Sequence, residues 1–328
     1  MTILGLIFPA IVIVNVLFFL LWLVLLKRYL FYSLLAIILS YSLILDHIQI
    51  TGNGQVAPSD STISILSFNA RNLSNTNLNR GDKMIRAQIL EFVATENADI
   101  YCFQEFQTYP TKGVNSVKDY QNRFASKYVY TTPYLQKNTH EFVDLLTVFS
   151  KYPIKNSYDF YLDGKAYGFF VDIEINGKLY RLFNLHLESN HFGRNEYEIF
   201  TEKEAVLNER KRNQLIWLLQ KLKKYSVKRS YQARTIRNEI EKSPYPVIVS
   251  GDFNDTPASY SYQHISSGLK DAFHEQGKGY SNTYNGKLPP MRIDFLLFDR
   301  KIDIVKYEVL KPDFSDHFPL IVSLELNE

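Results

Sequence analysis

The residues of this chain that could do chemistry stand where apolar runs stop. Tyr245-Pro246-Val247-Ile248-Val249-Ser250 is followed by Gly251-Asp252-Phe253-Asn254-Asp255, so a glycine, two carboxylates and an amide arrive together at the end of a β-branched segment. A strand end is a rigid support for polar groups held against a ligand, although the same five residues also suit a turn. Other interruptions recur: Asn69 closes 63–69, Glu105 follows 98–104, His186 sits in Phe183-Asn184-Leu185-His186-Leu187, and Asp294 sits in Arg292-Ile293-Asp294-Phe295-Leu296. Asp316 and His317 stand side by side near the end of the chain.

Each has a structural explanation on its own. Asn69 and Asn254 could cap turns, His186 could be a satisfied inward histidine, and Asp316-His317 a loop pair. Asp294 is costly in an apolar strand unless it has a partner. Together they suit metal-assisted attack of water on phosphorus. Carboxylate and amide oxygens without a thiolate favour a hard cation such as Mg²⁺ or Mn²⁺. The closely spaced histidines or cysteines of a zinc site are missing, as are a phosphate loop ending in Lys-Ser/Thr and a Gly-x-Ser-x-Gly elbow.

The elements that must hold these groups follow from periodicity. The segment 63–69 alternates like a strand, and 82–96 carries Met84, Ile85, Ile89, Phe92 and Val93 at helical spacing. Strands are predicted at 98–104, 145–150, 293–298, 302–309 and 319–326. A hairpin of 169–175 and 178–186 is expected around Asn176-Gly177, and short helices near 258–266. Between 195 and 242 the pattern is helical, with Ala205, Leu207, Leu215, Ile216, Leu218, Leu219 and Leu222 as its apolar face. Residues 202–242 hold twelve Lys/Arg against five Glu. Such a run is either a solvated face or a surface for anionic lipid or a phosphate-rich substrate.

Residues 1–50 have another character: their only charged side chains are Lys27, Arg28 and Asp46. The uncharged run 2–26 and the apolar run 29–45, with Lys27-Arg28 between them, predict a transmembrane helical hairpin over 1–48. The positive-inside rule puts Lys27-Arg28 in the cytoplasm, so the protein would be a multi-pass cell-membrane protein with its large domain extracytoplasmic. Residues 49–61 read as a tether, and 62–328 as one large domain. A net charge of +3 over 328 residues does not by itself indicate nucleic acid. Cys102 is the only cysteine, so no internal disulfide forms, and Ile100-Tyr101-Cys102-Phe103 marks it as a packed strand residue. Nothing in the sequence identifies a protein partner.

Seven segments in order carry a resemblance: Ser67-Phe68-Asn69, Phe103-Gln104-Glu105, Phe149-Ser150-Lys151-Tyr152-Pro153-Ile154, Asn184-Leu185-His186-Leu187, Gly251-Asp252-Phe253-Asn254, Arg292-Ile293-Asp294 and Ser315-Asp316-His317-Phe318-Pro319. With them the chain resembles the endonuclease/exonuclease/phosphatase superfamily of DNase I-like fold, and with its hairpin the membrane-anchored bacterial members. The resemblance implies an α/β (α+β) four-layer sandwich, two packed β-sheets flanked by helices, with the site at one rim. It implies that Glu105 holds the metal, with Asn69 and Asp316 as direct or water-mediated ligands. Asp294 would accept a hydrogen bond from His317, His317 would act at the scissile phosphate, and Asp252 would position the attacking water. Asn254 and His186 would donate to phosphoryl oxygens. The AP endonucleases carry an aspartate where this chain has Ala70 and a lysine where it has Gln107, so abasic-site repair is disfavoured.

The expected activity is hydrolysis of a phosphodiester in nucleic acid or a phospholipid headgroup. The alternative is a phosphomonoesterase on inositol or sugar phosphates. A catalytically dead binding module should have lost one of Glu105, Asp252, Asn254, Asp294 or His317, and all are present.

Overall fold

A computed structural model describes residues 5–50, 62–73, 83–108, 116–132, 142–191, 209–286, 288–312 and 315–326. The chain begins with helices α1 (Phe8–Val24), α2 (Leu30–Leu39) and α3 (Tyr41–Leu45) and the short strand β1 (Ile48–Gln49). Then come β2 (Ile63–Asn69), α4 (Lys83–Thr95), β3 (Ile100–Thr108), α5 (Val117–Arg123), β4 (Tyr128–Thr131), β5 (Phe142–Ser150), β6 (Ile154–Leu162), β7 (Lys165–Ile175) and β8 (Lys178–His186). A 33-residue helix α6 (Glu209–Glu241) leads to β9 (Val247–Asp252), α7 (Tyr260–Ser266), β10 (Lys270–Asp271), α8 (Ala272–Gln276) and β11 (Gly279–Tyr280). Strands β12 (Asp294–Phe298), β13 (Ile302–Val309) and β14 (Leu320–Leu326) finish the chain.

Two six-stranded sheets form, in the orders β10-β12-β9-β8-β7-β6 and β13-β14-β2-β3-β5-β4. Alternation along the strands sorts the core into three apolar layers. In β2, Ile63 and Ile65 face the other sheet, where they meet Cys102, Val148, Val171, Leu182 and Ile248. Leu66 and Phe68 face the opposite way, onto Ile85 and Ile89 of α4 and Tyr120 and Phe124 of α5. The second sheet does the same with Phe183, Val249 and Phe295, which pack on Ala233, Ile236 and Ile240 of α6 and on Tyr262 of α7. Helix, sheet, sheet, helix is the four-layer order expected.

Toward the rim the inter-sheet layer turns polar. Gln104 donates to Asn184 Oδ1 at 2.7 Å, and Asn184 donates to the carbonyls of Phe103 and Thr147 at 3.0 and 3.2 Å. Ser250 and Ser67 join hydroxyls across the sheets at 2.8 Å. The amide of Gln104, both polar ends of Asn184 and the two hydroxyls are paired, so the network links the sheets directly beneath the strand ends.

Glycine is required at 251. Its φ is +152°, and a Cβ there would lie 2.1 Å from the Leu185 carbonyl oxygen, the neighbour in the β8–β9 pairing. Gly251→Ala is expected to destabilise the protein by about 3 kcal/mol, measured by denaturant unfolding; an unchanged midpoint would contradict this close approach. At Asn176-Gly177 both residues have positive φ, 51° and 79°, as the expected tight hairpin turn demands.

Three expectations are corrected. Among the described residues no helix is long and apolar enough to cross a membrane. The 17 residues of α1 rise about 26 Å, short of a hydrocarbon core of about 30 Å, and the second run breaks at Ser40 into the 10 residues of α2 and the 5 of α3. Both ends of this hairpin are docked on the large domain. Thr256 donates to the Gly5 carbonyl at 3.0 Å, Arg292 donates to the Asp46 carbonyl at 2.6 Å, and β1 pairs with β11. Second, the apolar face of α6 divides. Leu218 and Leu222 are buried, but Leu215, Ile216 and Leu219 are exposed, because the helix seats its C-terminal half on the sheet. Third, β4, β6 and α5 form in segments where no element was expected. Ala205, Leu207 and tether residues 51–61 lie outside the described residues.

Candidate active site

Strand ends from both sheets converge on one rim. Asn69 ends β2, His186 ends β8, Asp252 ends β9, and Asp294 begins β12 directly opposite Asp252 in the antiparallel register. Glu105 interrupts β3: the register shifts between Phe103 and Phe106, and Glu105 takes φ +47°. A bulge with a left-handed residue re-aims one side chain out of the pleat, here toward Asn69. Asn254 also has positive φ, +51°, a conformation asparagine tolerates better than most residues.

Asp252 is the hub. Its Oδ1 accepts from the Asn254 backbone at 2.7 Å, and its Oδ2 accepts from the side chains of Asn69 at 3.0 Å and Asn254 at 3.3 Å. Two imidazoles approach the same Oδ2, His186 Nε2 at 3.7 Å and His317 Nε2 at 3.9 Å. The other nitrogen of His317, Nδ1, lies 3.1 and 3.2 Å from the two oxygens of Asp294, which fixes the ring and leaves Nε2 facing Asp252. Thr283 in turn accepts from the backbone of Ile293 and Asp294 through its hydroxyl. Tyr284 bridges to His317 in the backbone and meets its ring edge-on at 5.6 Å.

Burial pushes the Asp252 carboxyl up to about 6, with the Asp294 charge adding to it and the two histidines opposing. For His317, burial alone disfavours the imidazolium. Asp294 and Asp252 more than offset this and hold its pKa up at about 10.

These groups open onto a cavity of about 230 Å³. Asn69, Glu105, Asp252, Asn254, Asp316 and His317 line it, so six of the eight residues singled out in the sequence share one wall. His186 and Asp294 do not line it. Asp294 stands behind His317, and His186 stands between Glu105, at 3.5 Å, and Asp252, lining a smaller neighbouring cavity of about 20 Å³.

The donor set fits a hard cation. Glu105, Asp252 and Asp316 line the cavity with Asn69, and Asp316 Oδ1 is buried with no hydrogen-bond partner among the described residues. Asp252, Asp294 and His317 could also gather ligand atoms within 4.8 Å of one another. The Asp294–His317 hydrogen bond already occupies that cluster, so Glu105 and Asp316 are the better candidates.

Sequence reasoning missed Arg71, which lines the cavity and forms an ion pair with Asp316. Arg71, Asn72 and Leu73 all take positive φ, a left-handed turn that no composition signal announces. It also missed the fully buried ion pair of Arg229 with Asp255 at 3.0 Å, and Leu6, from the N-terminal segment, in the cavity wall.

The fold and this rim define a class. The chain belongs to the endonuclease/exonuclease/phosphatase family, whose sequence profile matches residues 66–317; members of this family are phosphoester hydrolases. A domain of unknown function, DUF8431, matches residues 1–47. Among solved structures, an endonuclease/exonuclease/phosphatase from Bacteroides vulgatus is similar, with 19% identity, a TM-score of 0.57, and 82% of this chain and 100% of that one covered. The human Nocturnin catalytic domain, crystallised with a sulfate anion, gives 16% identity, a TM-score of 0.56, and coverage of 83% and 96%. A mannosyl-6-phosphatase from Bacteroides thetaiotaomicron gives 18% identity, a TM-score of 0.52, and coverage of 80% and 99%. At these identities the likeness is one of fold. No curated protein matches the sequence.

Proposed function

We propose that this protein is a divalent-metal-dependent phosphoesterase, using Mg²⁺ or Mn²⁺, that cleaves phosphodiesters of nucleic acid or of a lipid headgroup. We further propose that residues 1–48 hold it at the cell membrane, with the catalytic domain on the extracytoplasmic side. The observation that carries the reading is the opposition of His317 and Asp252. Their 3.9 Å separation is too long for a hydrogen bond, and both line the same cavity.

In this reading Asp252, anchored by three amide N–H donors, holds the attacking water in line with phosphorus. His317, steadied by Asp294, hydrogen-bonds the phosphoryl group. Asn254 shares its amide between Asp252 and the Leu187 carbonyl, at 3.0 Å, and can turn a donor toward a phosphoryl oxygen as charge develops there. His186 stiffens the Glu105–Asp252 pair from behind. Glu105, Asn69 and Asp316 would hold the metal, which when bound neutralises charge on the phosphate and the leaving oxygen.

The test is hydrolysis of bis-p-nitrophenyl phosphate and plasmid DNA by the full chain, with and without chelator. Turnover should vanish on chelation and return with Mg²⁺ or Mn²⁺. In Glu105→Ala the metal concentration for half-maximal rate should rise on the order of 100-fold. Rates indifferent to both chelator and Glu105→Ala would overturn the metal assignment. The mannosyl-6-phosphatase of the same fold supports one alternative, a phosphomonoesterase on sugar or inositol phosphates. Turnover of such monoesters without diester cleavage would decide for it.

A further inference from the structure

One side of the cavity is apolar in a way that phosphorus chemistry does not require. Leu6, Leu288, Met291 and Ile293 share the wall with the carboxylates. Leu6 lies just before α1, so the cavity wall runs into a hairpin whose outer surface is almost wholly exposed hydrocarbon, with Ile13, Leu17, Phe31 and Leu39 each open to solvent. An exposed apolar patch of that extent marks an interaction surface.

A second stretch of the lining leads to a surface of the same character with charge added. His191 lines the cavity, and its carbonyl accepts from Lys221 of α6 at 2.7 Å. Around Lys221 the N-terminal half of α6 exposes Leu215, Ile216, Leu219 and Trp217, the last 49% accessible. Lys223 and Lys224 follow in sequence, and the Lys221 ammonium lies 5.1 Å from the Trp217 ring. Exposed leucine and isoleucine beside tryptophan and lysine form the composition that settles at a bilayer interface, where the apolar body is immersed and the cations meet anionic headgroups. A polyanion such as DNA would satisfy the lysines but would leave the leucines and the apolar cavity wall without a partner.

From these two stretches we infer that the mouth of the cavity opens at a lipid surface. We infer also that the substrate is a phosphate ester carried by a membrane lipid, its phosphate among the carboxylates and its stem against Leu6, Met291 and Ile293. The substrate half of this inference rests on the phosphoesterase reading; the docking half does not. Lipid and water-soluble esters present the same phosphate, and what separates them is the acyl-bearing stem on the apolar wall.

Two readouts on the full chain test the halves separately. The protein has two tryptophans, Trp22 and Trp217, so Trp22→Phe leaves Trp217 as the only indole. Reconstituted into phosphatidylcholine/phosphatidylglycerol vesicles, its emission should be quenched by brominated acyl chains. Emission indifferent to bromine overturns the docking surface. With Mg²⁺, phosphatidylglycerol or phosphatidic acid in vesicles should be hydrolysed roughly tenfold or more faster than glycerophosphoglycerol or glycerol 3-phosphate, since only the lipid offers remote binding energy to the apolar wall. Equal rates, or a preference for plasmid DNA, overturn the lipid substrate. Failure on bis-p-nitrophenyl phosphate as well would bring down the phosphoesterase reading, and the substrate half with it, while the quenching result still decides the docking half.

Discussion

His317→Ala should reduce turnover of bis-p-nitrophenyl phosphate about 10³-fold, equivalent to about 4 kcal/mol on the barrier, with a lowered unfolding midpoint as well, because Asp294 and Asp252 lose the buried cation between them. The ring is 7% accessible and its polar contacts run to one side chain, Asp294, and toward Asp252. Its removal leaves a water-sized space beside the cavity, which solvent can fill. Asp294→Asn should lower the rate by a smaller factor, because the ring stays but loses the carboxylate that orients it and supports its charge. Steady-state kinetics on the three proteins would check the order. A His317→Ala enzyme at full rate would remove the histidine from the chemistry, and an Asp294→Asn enzyme worse than His317→Ala would reverse the assigned dependence.

Arg229→Ala is expected to be the most damaging substitution for folding. Arg229 and Asp255 are both fully buried, and the guanidinium also donates to the Glu188 carbonyl at 2.8 Å and to Asn190 Oδ1 at 3.0 Å. Without it a carboxylate, a carbonyl and an amide lose their partner at once, at a cost of about 3–5 kcal/mol and a fall in Tm of roughly 4–7 °C. The deficit should depend on pH. Burial already pushes the Asp255 carboxyl up to about 6 against the lowering pull of Arg229, and without the arginine it rises further. An acid whose folded pKa lies above its unfolded value of about 3.9 adds stability below that value and loses it as pH climbs through the folded one. The variant should therefore be closer to wild type near about pH 5 than near about pH 8. Thermal unfolding at the two pH values decides it, and an equal deficit at both would mean that Asp255 finds another cation. Asn190 lines the cavity and Asn254 precedes Asp255, so reduced activity should accompany the loss of stability.

How much of this was legible in the sequence depended on whether the signal was local. The run 63–69 declared its strand by alternation, and Asn176-Gly177 its hairpin by the backbone that this pair favours. Asn69, Asp252 and His317 were visible because a polar side chain ending or breaking an apolar run costs free energy unless it is used. Arg71 had no such signal: it follows Ala70 in a polar stretch, and only a left-handed turn carries it over the cavity. Arg229 looked like one more cation on a basic helix, since nothing in its neighbourhood names a partner 26 residues away. Leu215, Ile216 and Leu219 read as core because spacing reports amphipathicity but not which half of a long helix meets the sheet. Leu6 falls in the uncharged run 2–26, whose apolarity predicts membrane-spanning chain. Its place in the cavity wall follows from docking of the hairpin base, a tertiary event with no period.

The docked base also bears on how the protein can be handled. Arg292 is 2% accessible, enclosed by Phe273 and Phe295, and its guanidinium reaches Asp271 at 2.6 Å and the Asp46 carbonyl at 2.6 Å. His274 meets Asp46 at 3.1 Å, and Gln263 reaches it at 2.7 Å. Cutting the chain after residue 50 to obtain a more soluble fragment would strip an acceptor from a buried cation and remove Leu6 from the wall of the candidate pocket in the same stroke. A weakly active or poorly behaved fragment would then say little about the enzyme. Residues 5–50 are as much a part of the folded body as the strands that frame the cavity.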